Sequence, residues 1–370
     1  MTIEAPPQTR TLLSIQALRG VAALLVVLFH SAEIWRDMSG GAGLDGLWDR
    51  GWAGVDLFFV ISGFVMVWVA GERASGLRSA GRFLFDRATR VYPLWWVFCA
   101  LMGLYFWVTY GQPATPVIYD AQTAWGQFFA SMALWPTEVQ PVLTVGWTLT
   151  FELAFYAVFA LLLLLPSRFR MGAILIWGLG LALIWLLRPD SPALPDSWLG
   201  VVMSPLCLEF VFGALVAWLV QRFSIPRSVG LTLFYLGAMG FLGLMIAGET
   251  VGGLPDIDSR VATFGLAAAV LLCGVVTVER NGGIVVLPAL RAIGDASYTL
   301  YLSHLLVILA LKRVCEAAGI LTAPSLSGMA VFMALATSAS LIAALILYRL
   351  LEKPLLTLSR ALLPKRRDMT

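Results

Sequence analysis

Ten long apolar stretches follow one another along the chain, and they decide which solvent it can fold in. Their limits are 12–31, 52–70, 91–110, 143–165, 171–187, 198–220, 229–247, 260–278, 297–314 and 327–350. Each is long enough for a helical crossing of a bilayer, some with tilt or help from flanking residues. With 59% hydrophobic and 13% charged residues over 370 positions, a water-soluble fold would have too little interior to hide this surface. Such a chain is neither a soluble enzyme, nor disordered, nor a disulfide-stapled secreted scaffold. The reading is an all-α polytopic membrane protein of about ten transmembrane helices. It forms a single domain over 1–370, ending in a short basic tail at 354–370. The piece 125–135 is too short to span and reads as interfacial or re-entrant. Arg10 precedes the first stretch, but no small-residue cleavage site follows it and Arg19 interrupts it. It therefore reads as a retained helix rather than a signal peptide.

An even number of spans places both termini on one side, and loop charge chooses the cytoplasm. That choice puts Arg73, Arg78, Arg82, Arg87, Arg90, Arg168, Arg170, Arg222, Arg227, Arg280 and Arg291 inside. Lys353, Arg360, Lys365, Arg366 and Arg367 of the tail join them. The other face carries fewer cations (Arg36, Arg50, Arg188, Arg260, Lys312 and Arg313) and the acids Glu33, Asp37, Asp45, Asp49, Asp256 and Asp258. Trp125, Trp135, Trp198 and Tyr110 fall near span ends, as interface aromatics do. The Pro/Gly-rich pieces 188–196 and 248–258 read as extracytoplasmic turns. A net charge of +3 without a concentrated basic stripe argues against nucleic acid as a partner. The four cysteines have no metal-binding spacing and read as buried thiols.

Ionisable side chains inside spans are expensive, so each needs a reason. Arg19, Asp56, Glu152 and Glu209 are such residues, and the only two histidines, His30 and His304, lie in spans as well. Arg19 and His30 are eleven residues apart, about three full turns, so they share one helix face roughly 16 Å apart along the axis. Antiparallel packing of the first two spans would bring Asp56 to the depth of His30, where a carboxylate could orient the ring. Thr148, Glu152 and Tyr156 share a face by i, i+4 spacing, with Trp147 pointing elsewhere. Ser297, Tyr301 and His304 share another. Arg87 and Arg90, at i, i+3, project together, and two guanidinium forks suit phosphate. Each feature also has a plainer reading: Arg19 could snorkel, the arginine pair could merely set topology, and His304 and Glu209 could be packing partners.

The ordered set of motifs resembles membrane acyltransferase family 3, multi-pass bacterial enzymes that O-acylate cell-surface glycans. The motifs are Leu18-Arg19-Gly20 with His30, GVDLFFVISGF (Gly54 to Phe64), Arg87-x-x-Arg90-Val-Tyr-Pro and WTLTFELAFY (Trp147 to Tyr156). GDASYTLYLSH (Gly294 to His304) and Glu352-Lys353-Pro354 complete the set, and SPLCLEFVFGAL with Glu209 also fits. The resemblance implies a bacterial cytoplasmic-membrane enzyme without a fused esterase-like domain. It implies an acyl-CoA donor, by default acetyl-CoA, taken from the cytoplasm, and a hydroxyl acceptor on the other side. It assigns essential roles to His30 and Arg19 and donor phosphates to Arg87 and Arg90. On this reading His30 is a general base oriented by Asp56 or Glu152, and Trp147 walls the acyl slot. Tyr301, His304 and Glu209 are secondary candidates.

Other chemistries fit less well. There is no GxSxG elbow, no phosphate-cradling glycine loop and no convincing metal site. The competing reading from another class is a proton-coupled transporter or flippase of a glycan or small acid, which intramembrane charges also suit. The absence of an internal repeat weighs against it. Acceptor identity, acyl length, direct transfer against an acyl-histidine relay, and oligomeric state stay open at this level.

Overall fold

A computed structural model describes residues 12–41, 46–71, 73–109, 124–187, 195–247, 260–283 and 285–361. Arg10, Asp45, Tyr110, Arg188, Asp256, Asp258 and the tail residues Lys365, Arg366 and Arg367 lie outside the described residues, as does most of the two Pro/Gly-rich turns. The described residues are helical with short connections. In chain order they form α1 (Leu13–Ser39), a 3-10 helix (Leu47–Ala53) leading into α2 (Gly54–Ala70), α3 (Leu77–Thr109), α4 (Ala124–Ala133), α5 (Gly146–Leu162) and α6 (Ser167–Leu187). Then come α7 (Trp198–Met203), α8 (Cys207–Arg222), α9 (Arg227–Ala247) and a π-turn (Val261–Gly265) opening α10 (Leu266–Arg280). The chain continues through α11 (Pro288–Asp295), α12 (Ser297–Ala318), α13 (Leu326–Leu347), a second π-turn (Tyr348–Glu352) and α14 (Lys353–Ala361).

Among the described residues, each of the ten apolar stretches is mainly helical, and seven helices are long and apolar enough to cross a membrane. The three others depart for visible reasons. Gly146–Leu162 is apolar but short. The stretch 198–220 is broken at Ser204-Pro205 into α7 and α8, because proline cannot continue the helix from within. α12 has the length, at 22 residues, but carries polar groups along it. The third stretch also begins earlier than hydropathy suggests: α3 starts at Leu77, so Arg87 and Arg90 lie inside a 33-residue helix rather than at its head. The segment around 125–135 forms the ten-residue α4, about 15 Å long and too short to span.

Burial sorts the helices into layers. The windows around α2 and α10 are 67% and 72% buried, against 22% for α6 and for α9. The outer pair exposes Leu179, Leu183, Leu236 and Met239, side chains suited to lipid. α2 crosses α8 at very short range. A Cβ on Gly63 would collide with the carbonyl oxygen of Phe210, and one on Gly213 with that of Val60. Only glycine permits this approach, the usual device where van der Waals packing must hold helices together in lipid. Around the crossing, Phe59 stacks on Phe210 at 4.7 Å and Phe210 on Phe155 at 4.5 Å, tying α2, α8 and α5 together. All four cysteines are buried and unpaired.

α1 lacks a side-chain cap of its own. Glu279, from the last turn of α10, supplies one: the backbone N–H groups of Leu13 and Ser14 donate to its two carboxylate oxygens at 2.8 and 2.9 Å. A carboxylate there also meets the positive end of the helix dipole. Glu279→Ala is expected to cost about 1 kcal/mol, read as a lowered unfolding temperature in detergent. An unchanged transition would mean that water caps the helix equally well.

Candidate functional site

A cavity of about 130 Å³ opens between α1, α2, α3, α5 and α12. Three guanidinium groups line it, from Arg19, Arg87 and Arg90, against one carboxylate, Glu152. Arg87 and Arg90 come to it from one face of α3, as their spacing requires. Arg87 lies over the rings of Phe83 and Tyr156, 5.4 and 5.8 Å from their centroids, and its Nε is buried without a hydrogen-bond partner. Thr148, Glu152 and Tyr156 face the cavity together, as i, i+4 spacing predicts. Glu152 accepts hydrogen bonds from the Tyr156 hydroxyl and, at 3.2 Å, from Ser62. The carboxylate is thus held in the arginine cavity. Such a chamber suits a polyanion: three fixed cations in a partly dry setting, with one anion to keep them apart.

At one end of the cavity the hydroxyls of Thr148 and Tyr301 meet at 2.9 Å. The Tyr301 ring lies 5.7 Å from Phe58 and 6.1 Å from His304. His304, fully buried, in turn approaches His30: its Nε2 is 3.1 Å from Nδ1 of His30, with ring centroids 5.0 Å apart. α1 and α12 run in the same direction here, because a second contact, Lys312 to Asp37, recurs about two turns farther along both helices. The two histidines therefore sit past the tyrosine end of the cavity and do not line it.

Asp56 is not at the depth of His30. The 3-10 helix before α2 already runs beside α1: Gly51 lies against the Leu25 carbonyl and Gly54 against that of Ala22. Asp56 follows Gly54, so it lies roughly 12 Å or more from His30 along α1. Its Oδ1 accepts from Nε of Arg260 at 2.7 Å, and both side chains are buried. Glu209 joins this pair electrostatically, with both carboxylate oxygens buried and without hydrogen-bond partners. Asp56 and Glu209 each occupy a first helical turn, of α2 and α8, where the helix dipole favours an anion. The break at Ser204-Pro205 is what gives Glu209 such a position. Trp147 is part of this second cluster. Its ring is 5.8 Å from the Arg260 guanidinium, which also lies over Trp52 at 4.7 Å. Trp147 borders a smaller hollow beside Trp135 and does not face the arginine cavity.

Two participants are not among the site candidates read along the chain, although Glu352 belongs to one of its motifs. Arg260 looks like a loop cation, yet it is the buried centre of the second cluster; its signal is an arginine opening an apolar run. Glu352 is buried on the second π-turn, bonded to Thr299, and interacts with Arg90 and Arg19. An acid closing the last apolar stretch is its signal. Among the described residues, no group of three or more His, Cys, Asp or Glu side chains could hold a metal ion.

Together these features define a multi-pass membrane protein with an arginine-lined chamber next to a histidine pair. The chain belongs to the family defined by an acyltransferase domain, whose model matches residues 12–349. It is 36% identical over 323 residues to the exopolysaccharide production protein ExoZ of Rhizobium meliloti (strain 1021), covering 84% of this chain and 91% of that protein. It is 26% identical to the acyltransferase MdmB of Streptomyces mycarofaciens, over 82% and 80% of the two chains. It is 27% identical to nodulation protein 10 of Rhizobium leguminosarum bv. viciae, over 79% and 81%. No solved structure matches the chain. The protein is thus an acyltransferase, and the transporter that intramembrane charges alone would allow finds no support.

Proposed function

We propose that this protein moves an acyl group, by default acetyl, from cytoplasmic acyl-CoA to a hydroxyl of an extracytoplasmic or lipid-linked glycan. The observation that carries the reading is the chamber in which Arg19, Arg87 and Arg90 converge, ending at Tyr301 beside the histidine pair. The name of the exopolysaccharide protein, a relative over most of both chains, favours a polysaccharide acceptor. The loop cations favour a bacterial inner-membrane protein with both termini in the cytoplasm, where ten spans are completed by α5, the broken α7–α8 pair and α12.

In this reading the arginines grip the donor phosphates at the cytoplasmic mouth, with Glu152 setting their spacing. The slender pantetheine arm extends past the Thr148–Tyr301 pair toward His30. Nε2 of His30 takes the proton of the acceptor hydroxyl, and the oxygen attacks the thioester carbonyl. The carbon–sulfur bond breaks, and the same proton passes to the leaving thiolate. Nothing is consumed beyond donor and acceptor. Asp56 and Glu209, tied up with Arg260 and flanked by Trp147, brace the bundle around this path.

Isolated membranes given acyl-labelled acetyl-CoA test the proposal. Label should enter envelope glycan in the wild type and not in His30→Ala. A lack of donor consumption across several acyl lengths, with folded protein verified, would overturn it. Arg87→Ala and Arg90→Ala should each raise the donor KM by about 10- to 100-fold, the loss of a hydrogen bond to a charged group, with the acceptor KM unmoved. Equal donor affinity in both variants would place the phosphates elsewhere.

A further inference from the structure

The backbone around the two histidines dictates where their protons lie. The carbonyl oxygen of Val26 is 3.0 Å from Nδ1 of His30, and that of Leu300 is 3.1 Å from Nδ1 of His304. A carbonyl only accepts, so each Nδ1 must carry the hydrogen. A neutral imidazole has a single N–H, so each Nε2 is then a bare lone pair. The contact between the rings agrees with this assignment on both sides. Nδ1–H of His30, shared with Val26, points at Nε2 of His304 across 3.1 Å. The hydrogen bonds thus run in one direction, from His30 to His304 to the Leu300 carbonyl. The ring that starts the series, His30, keeps an unengaged lone pair at Nε2.

We infer that His304 is the positioning residue of His30, holding it as the Nδ1–H tautomer so that Nε2 faces the acceptor hydroxyl as a base. This rests on the reading of His30 as general base and deepens it. The arrangement has the logic of a catalytic triad whose third member is neutral. When Nε2 of His30 takes up a proton, the bond from its Nδ1–H to His304 becomes charge-assisted and strengthens. His304 gains stabilising power only as the transition state is approached, so its contribution belongs in kcat. Its own geometry is fixed by full burial and by the Leu300 carbonyl, one turn earlier on α12.

The chain contains only two histidines, so histidine labelled with nitrogen-15 gives a spectrum of two imidazoles, assigned with His30→Ala. At neutral pH both rings of the wild type should show Nδ1–H and a bare Nε2. A proton on Nε2 of either neutral ring would overturn the inference without reference to activity. Kinetics supply the second arm. His304→Leu should lower kcat by about 10- to 100-fold through loss of a hydrogen bond to a charged group, with donor KM unchanged. His304→Gln, which keeps an acceptor oxygen within reach of Nδ1–H, should recover most of the loss. A normal kcat for folded His304→Leu beside an inactive His30→Ala overturns the positioning role alone. Transfer retained by His30→Ala overturns the reading on which it rests.

Discussion

His30→Ala is expected to lower the rate of acyl transfer by about 10²- to 10⁴-fold, the usual worth of a positioned general base. The variant should still insert and fold. The ring is half-buried, and its polar contacts are the Val26 carbonyl and His304. Its removal leaves one buried acceptor, Nε2 of His304, without a donor. Such a loss costs about 1–3 kcal/mol, which is smaller than the stability of most domains. Donor binding should survive, because the arginine chamber meets α1 at Arg19, roughly 16 Å from His30 along the helix. The signature is therefore a collapse of kcat at unchanged donor KM, with a normal elution profile in detergent. Full turnover by the folded variant would remove His30 from the chemistry.

The largest effect on stability should come from Arg260→Ala. Its guanidinium is 6% exposed and Asp56 is fully buried, with Glu209 beside them. Taking away the cation strands the Asp56 carboxylate in a dry interior, with the Glu209 carboxyl beside it, at a cost of about 3–5 kcal/mol. Asp56→Ala should cost less, because Glu209 remains to balance Arg260. Replacing ion pair and neighbour together, as Arg260→Met with Asp56→Leu and Glu209→Leu, should recover much of the loss, since apolar packing replaces charge without desolvation. Thermal unfolding in detergent gives the order directly. If Asp56→Ala proved the more damaging variant, Glu209 would not be acting as a second counter-ion. Transfer activity in the triple variant separates the structural role of this cluster from a chemical one.

Part of the site is readable from spacing. Arg87 and Arg90 are three residues apart, and Thr148, Glu152 and Tyr156 are four apart. One helix carries each set, so the helical period alone assigns each a common face, and the structure turns both faces to the same chamber. Arg19 meets them there. The partners chosen across helices are a different matter. Glu152 joins the arginines, Asp56 joins Arg260 and Glu209, and His30 joins His304. Charge complementarity offers several such pairings, and nothing local in the sequence selects among them.

The amino-acid sequence by itself determined that this chain dissolves in a bilayer as a bundle of helices, and which polar side chains are costly enough there to need a purpose. Its ordered motifs likewise pointed to the acyltransferase family. Tertiary structure decided the depth and rotation of each helix against its neighbours. Hydropathy marks where an apolar run begins, but it is blind to the 3-10 turn that slides α2 along α1 and to the proline break that starts α8 at Cys207. Those two offsets move Asp56 away from His30 and give Asp56 and Glu209 their helix-terminal seats around Arg260. The physical reason is that helix contact depends on where backbones can approach, as at Gly51, Gly54, Gly63 and Gly213. Such approach is a property of two surfaces at once, whereas periodicity along a chain describes only one.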